Sequence, residues 1–143
     1  VESLLHRLRF IHHWNFVKVL RLTHAVLDTY PYGGCLTFLE SMAAGKPVVT
    51  LPSDYVRGRF SYALYMQMDS AVMDPLTLDG LIAKSPTDYI AKVIKLGSDP
   101  LYYDHVARKV ADGYAGLHHN KEAALEWGAM FWHMHTQLSH TGA

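Results

Sequence analysis

The chain has 143 residues, of which half are hydrophobic and 18% are charged, as in ordinary globular domains. Its formal net charge is zero, which argues against binding to nucleic acid or to an anionic membrane surface. A single cysteine excludes an internal disulfide framework and fits a reducing compartment. The expected location of the protein is intracellular, cytoplasmic or nuclear. No apolar run approaches the roughly 20 residues of a membrane-spanning helix.

The first half of the chain alternates between strand and helix patterns. Short apolar runs predict three strands, at residues 8–12, 25–29 and 47–51. The run at 25–29 has few polar interruptions, which is typical of a parallel strand buried on both faces. Helical spacing predicts helices between the strands, at residues 14–22 and 36–44, and Gly45 is the predicted C-terminal cap of the second helix. The apolar face of that helix is predicted to hold Leu36, Leu39 and Ala43.

The second half of the chain is mainly helical in pattern. Helices are predicted at residues 55–68, 85–97, 99–110 and 120–138. Ser85-Pro86 and Asp99-Pro100 are signals for a helix start. The other segments are predicted to form a loop at 69–79, an edge strand at 81–83 and a turn through Gly113 and Gly116. The predicted apolar stripes are Val56, Phe60, Ala63 and Leu64; Tyr89, Ile90, Val93 and Ile94; and Trp127, Met130, Phe131, Met134 and Leu138.

This order of elements predicts an α/β fold, a Rossmann-like parallel sheet with helices on both faces. Residues 1–143 are predicted to form one domain, because their number suits a single hydrophobic core. The start at Val1 rather than at a methionine indicates a piece of a longer protein. In open α/β sheets, ligands bind at the carboxyl ends of the strands, so the loop after residues 25–29 is the place to look for a site.

A glycine pair in that loop precedes the helix predicted at residues 36–44. Gly33 and Gly34 allow a ligand to approach the backbone closely, and the first N–H groups of a helix can bind a phosphate or pyrophosphate. Thr37 adds a hydroxyl group, and Glu40 could accept hydrogen bonds from a ribose diol. In the alternative interpretation the glycines only turn the chain, Thr37 caps the helix and Glu40 is solvated. The pattern is neither Gly-x-Gly-x-x-Gly nor a P-loop, so the residues alone leave both interpretations open.

Several segments around this loop form a pattern that is more specific than any one of them. Residues 27–34 read Leu-Asp-Thr-Tyr-Pro-Tyr-Gly-Gly, Thr37 follows, and residues 40–49 read Glu-Ser-Met-Ala-Ala-Gly-Lys-Pro-Val-Val. Residues 57–60 read Arg-Gly-Arg-Phe, and residues 95–99 read Lys-Leu-Gly-Ser-Asp. Together they resemble the donor-binding half of the O-GlcNAc transferase/SPINDLY family of GT-B glycosyltransferases. The resemblance covers approximately residues 7–110.

The resemblance implies one half of a GT-B fold that binds a nucleotide sugar, UDP-GlcNAc or GDP-fucose. In that family the sugar is transferred with inversion to Ser or Thr side chains of an acceptor protein, without a metal ion or another cofactor. By matching position, the implied donor-binding residues are Gly33, Gly34, Cys35, Leu36 and Thr37 for the pyrophosphate, Glu40 for the ribose, and Arg59 in a donor-side or structural role. The catalytic residues stay unknown, because the acceptor side and the base belong mainly to the other GT-B domain.

The chain departs from the family where the loop meets the helix. Members read His-Thr-Thr where this chain reads Cys35-Leu36-Thr37, so two polar side chains are replaced. Backbone N–H groups and Thr37 are then left to bind the phosphates. Losing a hydrogen bond to a charged group weakens binding by about 1.5–3 kcal/mol, so a lower donor affinity is expected. The connection from Phe10 to Phe16 is also shorter than usual, so no base-contacting residue is assigned there.

The absent half of a GT-B enzyme suggests a partner and an alternative function. A missing N-terminal GT-B domain or a partner subunit is expected against the C-terminal helix at residues 120–138. The chain alone would then bind a nucleotide sugar without transferring it. The alternative is a glycosyltransferase-derived structural or interaction module that keeps the fold and has lost the reaction.

Metal binding and nucleophilic catalysis have weaker support. The histidine pairs His12-His13, His118-His119 and His133-x-His135 lack the spacing that places two ligands on one helix face. His12 or His13 could touch a ligand at a strand end, but a surface or packing role is expected. Cys35 at a helix N-terminus would favour a thiolate, yet no His or Asp partner is identifiable beside it.

Overall fold

The computed structural model describes residues 2–11, 16–68, 70–117 and 121–140, with two short parallel strands at the centre. These are β1 (Val26–Leu27) and β2 (Val48–Val49), with Val26 opposite Val48 and Leu27 opposite Val49. Thr50 continues the sheet as a parallel bridge to Ile82. The Thr50 N–H donates to the Leu81 carbonyl (2.9 Å), and the Ala83 N–H donates to the Thr50 carbonyl (2.8 Å).

Helices make up most of the described chain. The α-helices are α1 (Phe16–Leu22), α2 (Leu36–Ala43), α3 (Phe60–Gln67), α4 (Pro75–Leu81), α5 (Pro86–Ser98), α6 (Pro100–Leu117) and α7 (Lys121–His140), and 3₁₀ helices cover Glu2–Arg7 and Val56–Gly58. Helix α2 packs against α1 and α6, and α5 packs against α6. The predicted α/β class is confirmed in this coarser form, a mostly helical chain with a small parallel sheet.

The core is organised around Tyr65, the largest fully buried side chain among the described residues. Its ring lies edge-on to Phe38, with 4.9 Å between the ring centroids. The Val48 N–H donates to the Tyr65 hydroxyl (3.1 Å), which donates in turn to the Val48 carbonyl (2.8 Å). The phenol thus satisfies both backbone groups of a strand residue, and burial raises the pKa of Tyr65 above its usual range. The buried residues of the core cluster are Phe38, Met42, Val48, Val49, Tyr65, Met68, Met73, Leu81, Leu96, Val106 and Val110.

Two helix ends follow signals that are local in the sequence. Gly45 has a φ of 68°, and its N–H donates to the Met42 carbonyl (2.8 Å), as in a left-handed C-terminal cap. Ser85 accepts a hydrogen bond from the Asp88 N–H (3.1 Å) at the start of α5. Both predicted caps are confirmed.

The predicted sheet is too large. Residues 8–11 form no strand, and Phe10 is 90% exposed, because no described strand lies beside them to pair with; residue 12 lies outside the described residues. The runs at 25–29 and 47–51 form strands of only two residues each. Leu27 is 51% exposed, so β1 is not buried on both faces.

Two glycines mark close packing rather than the features predicted there. Gly58 ends the 3₁₀ turn that breaks the helix predicted at 55–68, and a Cβ atom at this position would collide with the Pro31 carbonyl. Gly113 lies inside α6, where an added Cβ atom would approach the Met68 sulfur to 2.8 Å. The predictions of one helix at residues 55–68 and of a turn at Gly113 are therefore wrong. At both positions the glycine leaves room for a neighbouring group, which a side chain would fill.

Helix α4 begins inside a segment predicted to be a loop, residues 69–79, and covers residues 75–79 of it. Asp74 caps it by accepting a hydrogen bond from the Thr77 N–H (2.9 Å), and Pro75 occupies the first turn. This start signal is present in the sequence, but the short helix that follows has too few turns to show a clear apolar period.

The buried faces of several helices differ from the predicted stripes. Helix α2 buries Phe38, Ser41 and Met42, while Leu36 and Ala43 are exposed. Helix α3 buries Ser61 and Tyr65, and Val56 lies outside it and is exposed. In α5, Tyr89 and Val93 are half-buried, whereas Ile90 and Ile94 are exposed. Spacing identifies apolar stripes, but the packing partner decides which stripe is covered.

Helix α7 is exposed along its apolar stripe. Trp127, Met130, Phe131, Met134 and Leu138 are between 42% and 71% exposed. No helix in the described part of the chain combines the length and the apolar character needed to cross a membrane.

Candidate functional site

A cleft of about 200 Å³ lies at the carboxyl end of β1, beside the start of α2. It is lined by Phe16, Val26, Leu27, Asp28, Thr29, Gly34, Thr37, Phe38 and Val48. Ligands of open α/β sheets bind at this position relative to the strands. The structure therefore brings two of the predicted site residues, Gly34 and Thr37, together in one cleft.

Asp28, directly after β1, fixes the loop that borders this cleft. Its Oδ1 atom accepts hydrogen bonds from the N–H groups of Gly34 (2.7 Å) and Thr29 (3.1 Å). Its Oδ2 atom accepts a hydrogen bond from the Thr50 hydroxyl (2.8 Å). The Tyr89 hydroxyl of α5 donates to the Asp28 carbonyl (3.0 Å). Burial, and after it the Asp28 carboxylate, raises the pKa of Tyr89, which keeps its hydroxyl protonated as a donor.

Gly33 and Gly34 direct their N–H groups into the protein. The Gly33 N–H donates to the Arg57 carbonyl (2.9 Å), and the Gly34 N–H donates to Asp28. A Cβ atom on Gly33 would lie 3.0 Å from Asp28 Oδ2, and one on Gly34 would collide with the Thr37 hydroxyl. An anion in the cleft would therefore meet the first N–H groups of α2 rather than those of the two glycines.

The first turn of α2 has no side-chain cap. Cys35 is the N-cap residue, and its exposed side chain makes no hydrogen bond to that turn. The N–H groups at the start of a helix need partners from outside it, and the helix dipole adds positive partial charge there. Phosphate oxygens are suitable partners for these groups. Leu36, the next residue, is 66% exposed and offers only its backbone.

Glu40 lies in a neighbouring groove rather than in the cleft. This groove, of about 380 Å³, is formed by α1 and α2 and lined by Val17, Arg21, Glu40, Ala43 and Ala44. Thr37 and Glu40 are one turn apart on α2, so their side chains lie on the same side of the helix. Because Phe16 lines the cleft and Val17 lines the groove, the two spaces are adjacent along α1.

Arg59 lines neither the cleft nor the groove. Its Nη1 atom donates to the Ser53 carbonyl (3.3 Å). In the same segment, the Ser53 hydroxyl donates to the Pro31 carbonyl (3.1 Å), and the Ser61 hydroxyl donates to the Gly34 carbonyl (3.3 Å). Residues 53–61 thus support the glycine loop from behind, and Arg59 stabilises that support.

Three residues of this arrangement were not assigned to the site from the sequence: Asp28, Thr50 and Tyr89. An acidic residue directly after an apolar strand was a usable signal for Asp28. No local signal exists for the other two, because Thr50 and Tyr89 meet Asp28 across 22 and 61 residues of chain.

Within the residues that the structure describes, no three His, Cys, Asp or Glu side chains are grouped in a way that could hold a metal ion. The candidates His12-His13 and His118-His119 lie outside the described residues. His133 and His135 are exposed on α7.

The fold has a counterpart among solved structures. No family model matches the chain, and no curated protein matches it. A mutant of the O-GlcNAc transferase from Thermobaculum terrenum is similar in structure over 93% of this chain, with a TM-score of 0.62 and 22% sequence identity. The chain spans 24% of the length of that enzyme. The chain therefore has a fold similar to that of a segment of an O-GlcNAc transferase.

Proposed function

We propose that the chain is the donor-binding half of an inverting GT-B glycosyltransferase similar to O-GlcNAc transferase. Its cleft would take a nucleoside diphosphate sugar of the UDP-GlcNAc or GDP-fucose type. One observation carries the proposal: an uncapped helix start borders a cleft at the carboxyl end of β1, in a fold similar to a segment of such an enzyme.

In this proposal, most of the predicted site residues have a role at the donor, whereas Gly33 only fixes the loop through its hydrogen bond to the Arg57 carbonyl. The N–H groups of residues 36–38 and the Thr37 hydroxyl hydrogen-bond the diphosphate. Glu40 accepts hydrogen bonds from the ribose in the adjacent groove. Gly34 keeps the space beside Thr37 open, and Arg59 supports the loop from behind. Cys35 and Leu36 contribute backbone only.

Such a site would promote sugar transfer by stabilising the departing nucleoside diphosphate. Negative charge develops on the diphosphate as the glycosidic bond to it breaks. Fixed N–H donors and the dipole of α2 stabilise that charge, and they do not have to reorganise at the moment of reaction. This arrangement would replace the metal ion that some enzymes use to neutralise a diphosphate leaving group.

The complete reaction requires more than this chain. Because the chain spans about a quarter of the similar enzyme, the acceptor site and the catalytic base would belong to a further domain or a partner subunit. The exposed stripe of α7 is proposed to pack against that part. The intact protein would glycosylate Ser or Thr side chains of intracellular proteins, and the chain alone would bind the donor without transferring the sugar.

Calorimetric titration of the chain with UDP, GDP, UDP-GlcNAc and GDP-fucose tests the proposal. Saturable binding of one nucleotide and its sugar is expected. Glu40→Ala should weaken that binding because the ribose loses its acceptor, whereas Glu126→Ala on the exposed surface of α7 should not change it. Unchanged affinity of the Glu40 variant would remove Glu40 from the site.

The second candidate function is a glycosyltransferase-derived structural or interaction module. It is favoured by two features that donor binding does not require, the exposed aromatic stripe of α7 and the apolar, exposed Leu36 at the start of α2. The same titration separates the two functions, because a module of this kind would bind none of the four nucleotides at millimolar concentration.

A further inference from the structure

We infer that Asp28 is the positioning residue of the cleft: its carboxylate holds the glycine loop so that the start of α2 faces a bound phosphate. The inference rests on the proposed function. It states that the orientation of the α2 start depends on a residue that does not itself bind the donor. Asp28 lines the cleft together with Gly34 and Thr37.

The contacts of Asp28 join the loop to the end of β2 and to α5. Through Oδ1 it holds the backbone of Thr29 and Gly34, at the two ends of the loop. Through Oδ2 it is tied to Thr50 at the end of β2, and its carbonyl accepts the Tyr89 hydroxyl from α5. Hydrogen bonds to a carboxylate are stronger than those between neutral groups, so this residue restrains the loop more than a neutral side chain would.

The same contacts determine where an anion can bind. The Gly34 N–H is occupied by Asp28, so phosphate oxygens are directed to the N–H groups that follow it in α2. A negatively charged side chain at the cleft wall repels a phosphate that comes close to it. Both effects place the diphosphate on the α2 side of the cleft, and neither acts on the nucleoside.

Asp28 is thus expected to affect the binding of the diphosphate but not of the nucleoside. A comparison of UDP with uridine measures this difference, which a general structural role would not produce. Asp28→Ala should weaken UDP binding by about tenfold or more, because the loop and the α2 start lose their alignment, while uridine binding stays unchanged. Asp28→Asn keeps the size and an acceptor oxygen for the Gly34 N–H but lacks the charge, so it should lose less UDP affinity than Asp28→Ala does. A loss that affects UDP and uridine by the same factor would overturn the inference, as would an unchanged UDP affinity of Asp28→Ala.

A matched control separates alignment from lost stability. Asp74 also accepts a hydrogen bond from a backbone N–H at a helix start, but it caps α4 and does not line the cleft. Asp74→Ala should lower the thermal stability of the chain and leave the ratio of UDP to uridine affinity unchanged. A change in that ratio equal to the change in Asp28→Ala would contradict a specific role for Asp28.

A second measurement keeps the inference testable if no nucleotide binds. In amide NMR spectra of the ligand-free chain, the Gly34 N–H should exchange with solvent faster in Asp28→Ala than in the wild type or in Asp74→Ala. Absent UDP binding together with this faster exchange would defeat the proposed function and support the loop-holding role. Unchanged Gly34 exchange in Asp28→Ala would overturn the inference whether or not a nucleotide binds.

Discussion

The hydroxyl group of Tyr65 lies 3.1 Å from the amide nitrogen and 2.8 Å from the carbonyl oxygen of Val48, and both contacts are buried. A two-stranded sheet leaves the outer backbone groups of its strands without strand partners. The Tyr65 hydroxyl is the partner of the Val48 N–H and carbonyl. The backbone groups of Thr50 hydrogen-bond to the segment around Ile82. The small sheet is therefore completed by a side chain on one residue and by a single bridge on another.

The substitution Tyr65→Phe should destabilise the fold without changing the shape of the core. The Phe38 contact would remain, but the Val48 N–H and carbonyl would be buried without partners, at a cost of about 1–3 kcal/mol for each group. Urea unfolding measures the loss. Tyr55→Phe, at a residue that is 61% exposed, is the control and should have little effect. Equal stability of the two variants would contradict this role of Tyr65.

Alkaline pH should destabilise the chain through the same residue. The pKa of Tyr65 in the folded chain is raised by burial, so the unfolded chain loses this proton at lower pH than the folded chain does. The folded state then binds more protons, and stability falls as the pH rises above about 10. Urea unfolding from about pH 9 to about pH 11 should show a steeper decline in the wild type than in Tyr65→Phe. Identical slopes would show that another group causes the decline.

Gly45 and Gly116 should respond to alanine in opposite directions. Gly45 has a φ of 68°, so alanine there should lower the stability by roughly 1–2 kcal/mol. Gly116 lies in α6 with open space around it, so alanine should raise the stability by about 0.4–1 kcal/mol. Urea unfolding of both variants checks the signs, and a destabilised Gly116→Ala would mean that the C-terminal part of α6 is not helical in solution.

These cases show which parts of the fold could be predicted from the sequence. Caps such as Gly45 and Ser85 depend on a few neighbouring residues, and both were predicted. The two contacts of Tyr65 with Val48 span 17 residues and have no local signal, so the residue was not predicted to be central. The strand predicted at residues 8–12 is not observed at residues 8–11, although the local signal is present. An apolar run becomes a strand only when a neighbouring strand pairs with it.

In the candidate site too, relationships between residues that are close in sequence were predictable, and those between distant residues were not. Gly34 and Thr37 were predicted to lie at one site because the loop and the helix start are adjacent in sequence, and both line the cleft. The separation of Glu40 into a second groove depends on the position of α1, which no spacing within α2 reveals. The network of Asp28 joins distant segments and could be found only from the fold.

The substitution Gly34→Ala should weaken nucleotide binding more than it affects stability. A Cβ atom here would displace the Thr37 hydroxyl, one of the proposed phosphate ligands. Calorimetric titration with UDP should show a loss of affinity of about tenfold or more, the cost of one hydrogen bond to a charged group. Gly97→Ala, at a glycine with open space around it, is the matched control. Equal UDP affinity of the two variants would exclude Thr37 from the phosphate site.

The most direct test of the donor-binding proposal is an NMR titration of the chain with UDP, followed through its backbone amide signals. The proposal predicts saturable shifts that are largest for residues 36–38, because their N–H groups would bind the phosphates, with smaller shifts around Glu40. Shifts that do not saturate at millimolar UDP, or that lie away from the start of α2, would contradict it.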